Sequence, residues 1–382
     1  MFLDLSVYTP LYVSSLWALI LLTSSKNNSA RFFLGLFSLT VSILFLSHAI
    51  YYHHLKEIYL YFDLVFIFSS LSIYPIYYWY IKLLTCNSKI DFNDLKLQIP
   101  AVGMLIAVIV TYSLMSHNLR EMYVNNYLYG NGKMEGAPTL IKIQLALCYI
   151  LRMIYLLQIV FTYLKIRSYI ARYNENIANF YSNLENKTLV WPKKILIFFA
   201  LFSAFTILTN FFGRYFFDKY PLFLLIAGLI FSMLMFVLGY RGYRQDHNIL
   251  TLEFDGGNIP VTSNENKNIA KIKAQLIRLF EKEQIFKTTD LKITDIAVIL
   301  NSNRTYISAF INHEYACSFC TFVNQYRVEE AKKVLLDNVN NNFSLEYIAT
   351  LAGFGSLHSF IRVFKDVTGS TPGCFRELNL KL

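Results

Sequence analysis

The stretch Ile293–Asn301, ITDIAVILN, has a second version at Leu345–Gly353, LEYIATLAG. In both, apolar residues recur at helical spacing: Ile293, Ile296, Ala297 and Leu300 in the first, Leu345, Ile348, Ala349 and Ala352 in the second. Each stripe contains an alanine, and four residues later stands a residue that tolerates positive φ, Asn301 or Gly353. Ala297 and Ala349 are 52 positions apart, as are Asn301 and Gly353. A further apolar pattern follows each turn, with Ile307, Phe310 and Ile311 in one copy and Phe360, Val363 and Phe364 in the other. Ile307 and Phe360 are 53 apart, so the second copy carries one extra residue. The pattern predicts a duplicated helix, tight turn, helix unit. Two helices that cross steeply need a small residue at the crossing, which explains the alanines. The turn needs a left-handed backbone residue. Such a unit is the DNA-reading helix-turn-helix, whose second helix enters the major groove by its N-terminal end.

Outward from this pair, Ile269, Ile272, Leu276, Leu279 and Phe280 share one face of an amphipathic helix. Between Arg241 and Asn268 the periodicity vanishes, and Asp255-Gly256-Gly257-Asn258 and Thr262-Ser263-Asn264 are turn and linker chemistry.

From about Ile269 to Leu378 the segment resembles the DNA-binding domain of AraC/XylS-type transcription regulators. The resemblance rests on Ile293-Thr294-Asp295-Ile296-Ala297, Arg304-Thr305-Tyr306-Ile307-Ser308, Phe322-Val323-Asn324-Gln325-Tyr326-Arg327, Glu330-Ala331-Lys332-Lys333-Val334-Leu335-Leu336, Ile348-Ala349-Thr350-Leu351-Ala352-Gly353-Phe354 and Phe360-Ile361-Arg362-Val363-Phe364-Lys365. It closes on Thr368-Gly369-Ser370-Thr371-Pro372 and Phe375-Arg376. The likeness covers about 110 of 382 residues. It implies a double helix-turn-helix domain that binds double-stranded DNA. The second reading helix would present His358, Ser359 and Arg362, with Lys365 toward phosphate; Arg362 is the foremost base contact, since arginine pairs bidentately with guanine. On the first reading helix the implied contacts are Arg304, Thr305 and Ser308, with Asn312 a lesser one. Ala309 stands where the family often has arginine, and Ala316 replaces the usual turn glycine. Some regulators of this type carry a multi-span membrane region, and this chain resembles that subgroup.

The other part of the chain explains why. Over 382 residues, 55% are hydrophobic, 17% aromatic and only 16% charged, against about 25% charged in soluble domains. Disorder is excluded by 33 Phe and 28 Tyr, and a disulfide scaffold by five scattered cysteines. Seven stretches meet the roughly 20 apolar residues that a bilayer requires: Leu5–Leu22, Phe32–Tyr52, Ile58–Ile81, Leu97–Met115, Leu140–Leu164, Ile195–Gly213 and Pro221–Tyr240. The first reads as a span rather than a cleavable leader, because Asp4 and no basic residue precedes it. With the N-terminus outside, the inner loops hold 13 Lys and Arg and the outer loops five, which places the C-terminal part in the cytoplasm. The expected fold is therefore all-α: a seven-helix membrane domain at 1–243, a linker at 244–268 and a double helix-turn-helix domain at 269–382.

Charge follows the same division. The chain up to Arg244 has 20 Lys+Arg against 10 Asp+Glu, and from Gln245 onward 15 against 15. From Lys267 to the end the balance is 15 against 11. DNA affinity depends on local charge, and so weak a field fits a homodimer or a binding partner.

Ionisable residues within membrane helices mark functional positions. Asp63 and Arg152 are the two candidates for sensing, although at ~1.5 Å per residue they lie roughly 10 Å apart in depth. His48, His53, His54 and His117 fall at outer helix ends without the i, i+4 spacing of a helical metal site. Tyr77-Tyr78-Trp79-Tyr80 reads as an interface belt. The loop Ser116–Thr139, with Gly130, Gly132 and Gly136, is the one external segment long enough to cover a ligand. Cys317 and Cys320 form a lone Cys-x-x-Cys with no second pair or histidine. No phosphate loop, HExxH, nucleophile elbow or kinase-type histidine box is present, so no catalytic residue, metal or cofactor is expected. Partners expected are DNA, the bilayer, a second copy and an unidentified small-molecule or lipid signal. The alternative is a transporter-like or scaffold protein whose helix-turn-helix domain binds protein.

Overall fold

The computed structural model describes residues 2–245, except 27, 87–89, 131–135, 186, 190, 193, 196, 198, 199 and 202–220, and residues 265–380, except 338–342. Among the described residues the chain is all-α, with one isolated antiparallel bridge between Tyr181 and Lys292. It divides into two compact units, one of Met1–Ile170 with Val190–Asn248, the other of Ala171–Leu189 with Ile249–Leu382.

The first unit holds the apolar helices α1 (Phe2–Thr23), α2 (Ser29–Tyr52), α3 (Lys56–Thr85), α4 (Ile99–Leu114), the apolar part of α5 (Thr139–Phe180), and α6 (Pro221–Tyr243). With the short turn before α4 included, six helices among the described residues are long and apolar enough to cross a membrane. The stretch Ile195–Gly213 lies largely outside the described residues, as does most of the linker. Side chains such as Ile106, Val110, Leu157, Phe161, Ile230 and Met233 are exposed. Without lipid these surfaces would be costly, at roughly 25 cal/mol per Å². Several buried hydroxyls bond back to their own helix: Ser14 donates to Pro10 O at 2.7 Å, Ser38 to Leu34 O at 3.0 Å and Ser232 to Gly228 O at 2.7 Å. Gly228 and Gly239 let α6 lie directly on α1, because a Cβ at either position would run into the Ser6 carbonyl or the Trp17 ring.

Tyr77, Tyr78, Trp79 and Tyr80 do not form an interface belt: all four are buried. Four consecutive residues point to every side of a helix, so α3 is surrounded there. Two of their polar atoms find partners inside, Tyr77 Oη donating to Pro192 O at 3.0 Å and Trp79 Nε1 to Asp94 O at 3.2 Å. Lys82 completes this inner cluster with Asp94 at 2.6 Å and Asp91 at 3.3 Å. The Ser116–Thr139 loop is partly helical among its described residues, and its Tyr129 ring stacks on Tyr51 at 4.6 Å between centroids.

The fifth stretch differs most from its reading. Apolar composition stops at Leu164, yet α5 continues to Phe180 as an amphipathic helix with Ile166, Ile170, Tyr173, Ile177 and Phe180 all buried. At ~1.5 Å per residue its 42 residues span about 63 Å, twice a hydrocarbon core.

The second unit contains the last turns of α5, then α7 (Glu265–Glu281), α8 (Ile293–Ile299), α9 (Arg304–Tyr315), α10 (Phe319–Asp337), α11 (Leu345–Leu351), α12 (Leu357–Thr368) and α13 (Pro372–Leu380). Helix α10 joins the halves. Its Val328, Ala331 and Leu335 pack in one core with Ile348, Ala349, Ala352, Phe354, Phe360 and Phe364.

Candidate nucleic-acid interface

The two halves repeat one another bond by bond. At the first turn, Asn301 N–H donates to Val298 O at 3.1 Å and Ser302 N–H to Ala297 O at 2.9 Å. At the second, Gly353 N–H donates to Thr350 O at 3.0 Å and Phe354 N–H to Ala349 O at 2.9 Å. Each partner is displaced by 52 positions. Both turn residues are left-handed, Asn301 at φ 47° and Gly353 at φ 86°. These bonds satisfy carbonyls that the end of a helix leaves open. Ala297 and Ala349 are buried at the crossings.

The next helix of each unit starts on a side-chain cap. Asn303 Oδ1 accepts from Thr305 N–H at 2.8 Å before α9, and Ser356 Oγ accepts from Ser359 N–H at 3.1 Å before α12. The caps are 53 apart, which locates the extra residue in the second turn. Each reading helix also ends left-handed, at Ala316 with φ 51° and at Gly369 with φ 80°.

On α12, His358, Arg362 and Lys365 are exposed, while Ser359 is 7% exposed beside its cap. On α9, Thr305 and Asn312 are exposed and Ser308 is half-buried. Arg304 is half-buried, its guanidinium 5.5 Å from the Phe180 ring centroid. The structure therefore sets Arg362 toward solvent and gives Arg304 an aromatic partner.

Arg327 was visible in sequence only as part of a matching stretch, yet it ties α10 to the segment before α8 and to Ser182. It is 1% exposed; Nε donates to Phe286 O at 2.8 Å, and Nη2 to Thr288 O at 2.7 Å, Thr289 O at 3.2 Å and Ser182 Oγ at 3.2 Å. Burial lowers its pKa to about 10, so it stays charged at neutral pH. Cys320 is buried, its thiol donating to Ser182 O at 3.2 Å, and burial pushes its pKa up to about 11. A raised pKa suits an inert structural thiol. Cys317 is half-buried. Among the described residues no three His, Cys, Asp or Glu side chains gather as a metal site.

The segment Ala171–Leu189 lies within this unit. Asn174 closes it into a loop, accepting from Leu189 N–H at 2.8 Å and donating to Leu189 O at 3.2 Å. Ser182 N–H donates to Leu291 O at 3.0 Å, and Lys187 stands 3.8 Å from Asp290. No apolar run announces this segment; the available signal was the three-to-four spacing of its buried residues.

In the first unit, Asp63 is buried and accepts from Tyr112 Oη at 2.6 Å and Tyr59 Oη at 3.4 Å. Gln144 donates to the same Tyr112 oxygen at 3.3 Å. Arg152 is half-buried and lies 5.2 Å from the Tyr149 ring centroid. His53 pairs with Asp4 at 3.5 Å, and His117 with Glu121 at 3.8 Å.

Comparison with known proteins agrees with this geometry. Residues 296–378 match the family described as a helix-turn-helix domain. Over 88 residues the chain is 35% identical to the uncharacterised HTH-type transcriptional regulator YfiF of Bacillus subtilis, and over 89 residues 32% identical to the uncharacterised HTH-type regulator YtdP of that organism. Each match takes in 23% of this chain, but 27% of YfiF and 11% of YtdP. Among solved structures, the C-terminal domain of AraT, a response regulator from Geobacillus stearothermophilus, is 26% identical, with 30% of this chain and 88% of that one covered and a TM-score of 0.25. The C-terminal part of this chain carries an AraC-type helix-turn-helix domain.

Proposed function

We propose that the chain is a membrane-anchored transcription regulator that binds specific double-stranded DNA as a homodimer. The carrying observation is the pair of bond-for-bond equivalent helix-turn-helix units on one body, with Arg362 exposed on the second reading helix. In this reading Arg362 reads a guanine, His358, Thr305 and Ser308 read neighbouring edges, Ser359 and Asn312 assist, and Arg304 and Lys365 meet phosphate. Loop charge supports an outer N-terminus and a cytoplasmic DNA-binding domain. A single helix suffices for an anchor, so the many apolar helices support a sensor for a small-molecule or lipid signal. Asp63, with its two phenols, and Arg152 are the candidates for that role. No catalytic residue or cofactor enters this function.

The test is selection of sheared genomic DNA from the host organism by the full chain in lipid nanodiscs, followed by titration of the fragment most enriched. Replacing Arg362 by Ala is expected to cost about 1–3 kcal/mol of discrimination at one base position. Selection of no fragment, or an unchanged preference in the variant, defeats the reading. A C-terminal reporter that proves external would defeat the orientation.

A further inference from the structure

Between Phe180 and Glu185 the chain touches the starting ends of both reading helices. The Phe180 ring faces Arg304, the first residue of α9. Tyr181 and Ser182 form the antiparallel bridge with Leu291 and Lys292. Glu185 Oε2 accepts from Ser356 Oγ at 2.7 Å, and Ser356 is the cap of α12. Asn183 fills the space beside Gly355, where a Cβ would come within 2.7 Å of its Nδ2. The segment keeps its own shape through Asn174 and Leu189, through Glu185 N–H donating to Asn183 Oδ1 at 3.1 Å, and through Lys187 donating to Asn183 O at 3.2 Å.

We propose that Ala171–Leu189 is an inhibitory strap: it occupies the groove-entering ends of both reading helices and must leave before duplex DNA can seat. This inference rests on the DNA-binding reading above and names how that site is regulated. Reading helices enter the major groove by their N-terminal ends. The open backbone N–H groups and the dipole there favour an anion, which on DNA is a phosphate. Glu185 brings a carboxylate to that end of α12, so it mimics the phosphate when DNA is absent and repels it when DNA arrives. Arg304 is held over an aromatic face instead of a phosphate. The strap and the duplex thus compete for Ser356 and Arg304. Release requires breaking the bonds of Ser182 with Leu291, Cys320 and Arg327 and of Glu185 with Ser356, so a signal acts by favouring the released state. In sequence the strap follows directly on the apolar part of α5, within the same helix.

A brace that holds the two reading helices in register predicts the opposite effects, and the full chain in nanodiscs separates the two. With the most enriched genomic fragment as probe, the double variant Glu185→Gln with Phe180→Ala should bind about tenfold more tightly than wild type. In wild-type protein, hydrogen exchange at the Ser182 amide should be slow without DNA and fast with it. Equal or weaker binding by the variant, or continued protection of Ser182 on DNA, overturns the strap. If wild type binds and Arg362→Ala loses selectivity while the strap variant matches wild type, this inference alone falls. If wild type retains no fragment at all, both it and the DNA-binding reading fall.

Discussion

The two helix-turn-helix units solve the same backbone problem with different residues. The second uses glycine at both left-handed positions, Gly353 and Gly369; the first uses Asn301 and Ala316. The second displays Arg362 to solvent, whereas the first holds Arg304 against Phe180 and has Ala309 where the family often has arginine. Equivalent folds therefore do not imply equal shares of the work. The second unit meets its left-handed positions without a Cβ and leaves its arginine exposed, whereas the first strains an asparagine and an alanine and half-buries its arginine.

This contrast is sharpest at the turns. Gly353 combines φ 86° with a backbone wall, since a Cβ would lie 2.7 Å from both Phe286 O and Lys287 Cα. The left-handed conformation costs an alanine roughly 1–2 kcal/mol, and overpacking against backbone adds about 1–3 kcal/mol. Gly353→Ala should therefore destabilise the C-terminal unit by about 3 kcal/mol. Asn301, exposed at φ 47°, has no such wall, and Asn301→Ala should cost about 1 kcal/mol. Pulse proteolysis of the full chain across a denaturant series measures both. Equal losses would show that the turns are equivalent after all.

A smaller difference should appear in DNA binding. On the proposed reading, Arg304→Ala removes a phosphate contact and also the contact with Phe180, so the two effects oppose. The net loss in affinity should be under about 1 kcal/mol, and the salt dependence should fall by about one phosphate. Arg362→Ala should instead lose selectivity at one position with the salt slope nearly intact. Titration at several salt concentrations separates them, and a loss of selectivity on Arg304→Ala would reverse the ranking of the two units.

Much of this was legible before any coordinates, for identifiable reasons. Ala297, Ala349, Asn301 and Gly353 could be placed because a tight turn constrains residue type at fixed spacing. Six of the seven apolar stretches could be placed as long helices among the described residues, because a sustained apolar run of about 20 residues is a distinctive pattern. The extension of α5 beyond Leu164 was hidden because charged residues such as Lys165, Arg167 and Arg172 interrupt the apolar window while the stripe beneath them continues. The burial of Tyr77 to Tyr80 was misjudged because composition alone does not say how many neighbours a helix has. Contacts across great separations, such as Arg327 with Ser182 or Ser356 with Glu185, leave no local pattern.

The finest test of the contrast lies at the ends of the reading helices. Ala316 adopts φ 51° where the second unit has Gly369. Substitution by glycine removes the roughly 1–2 kcal/mol that a Cβ costs in this conformation. It also loosens the unfolded chain, which takes back about 0.4–1 kcal/mol. Ala316 is exposed, so no packing is lost. Ala316→Gly should therefore stabilise the C-terminal unit by about 0.5–1 kcal/mol in the same proteolysis assay. Gly369 also has φ 80°, with open space around a would-be Cβ, so Gly369→Ala should give a loss of similar size. A stabilised first unit with unchanged DNA selectivity would mean that the strain at Ala316 is incidental. Altered DNA affinity would mean that the conformation of this turn is set against the reading helix it closes.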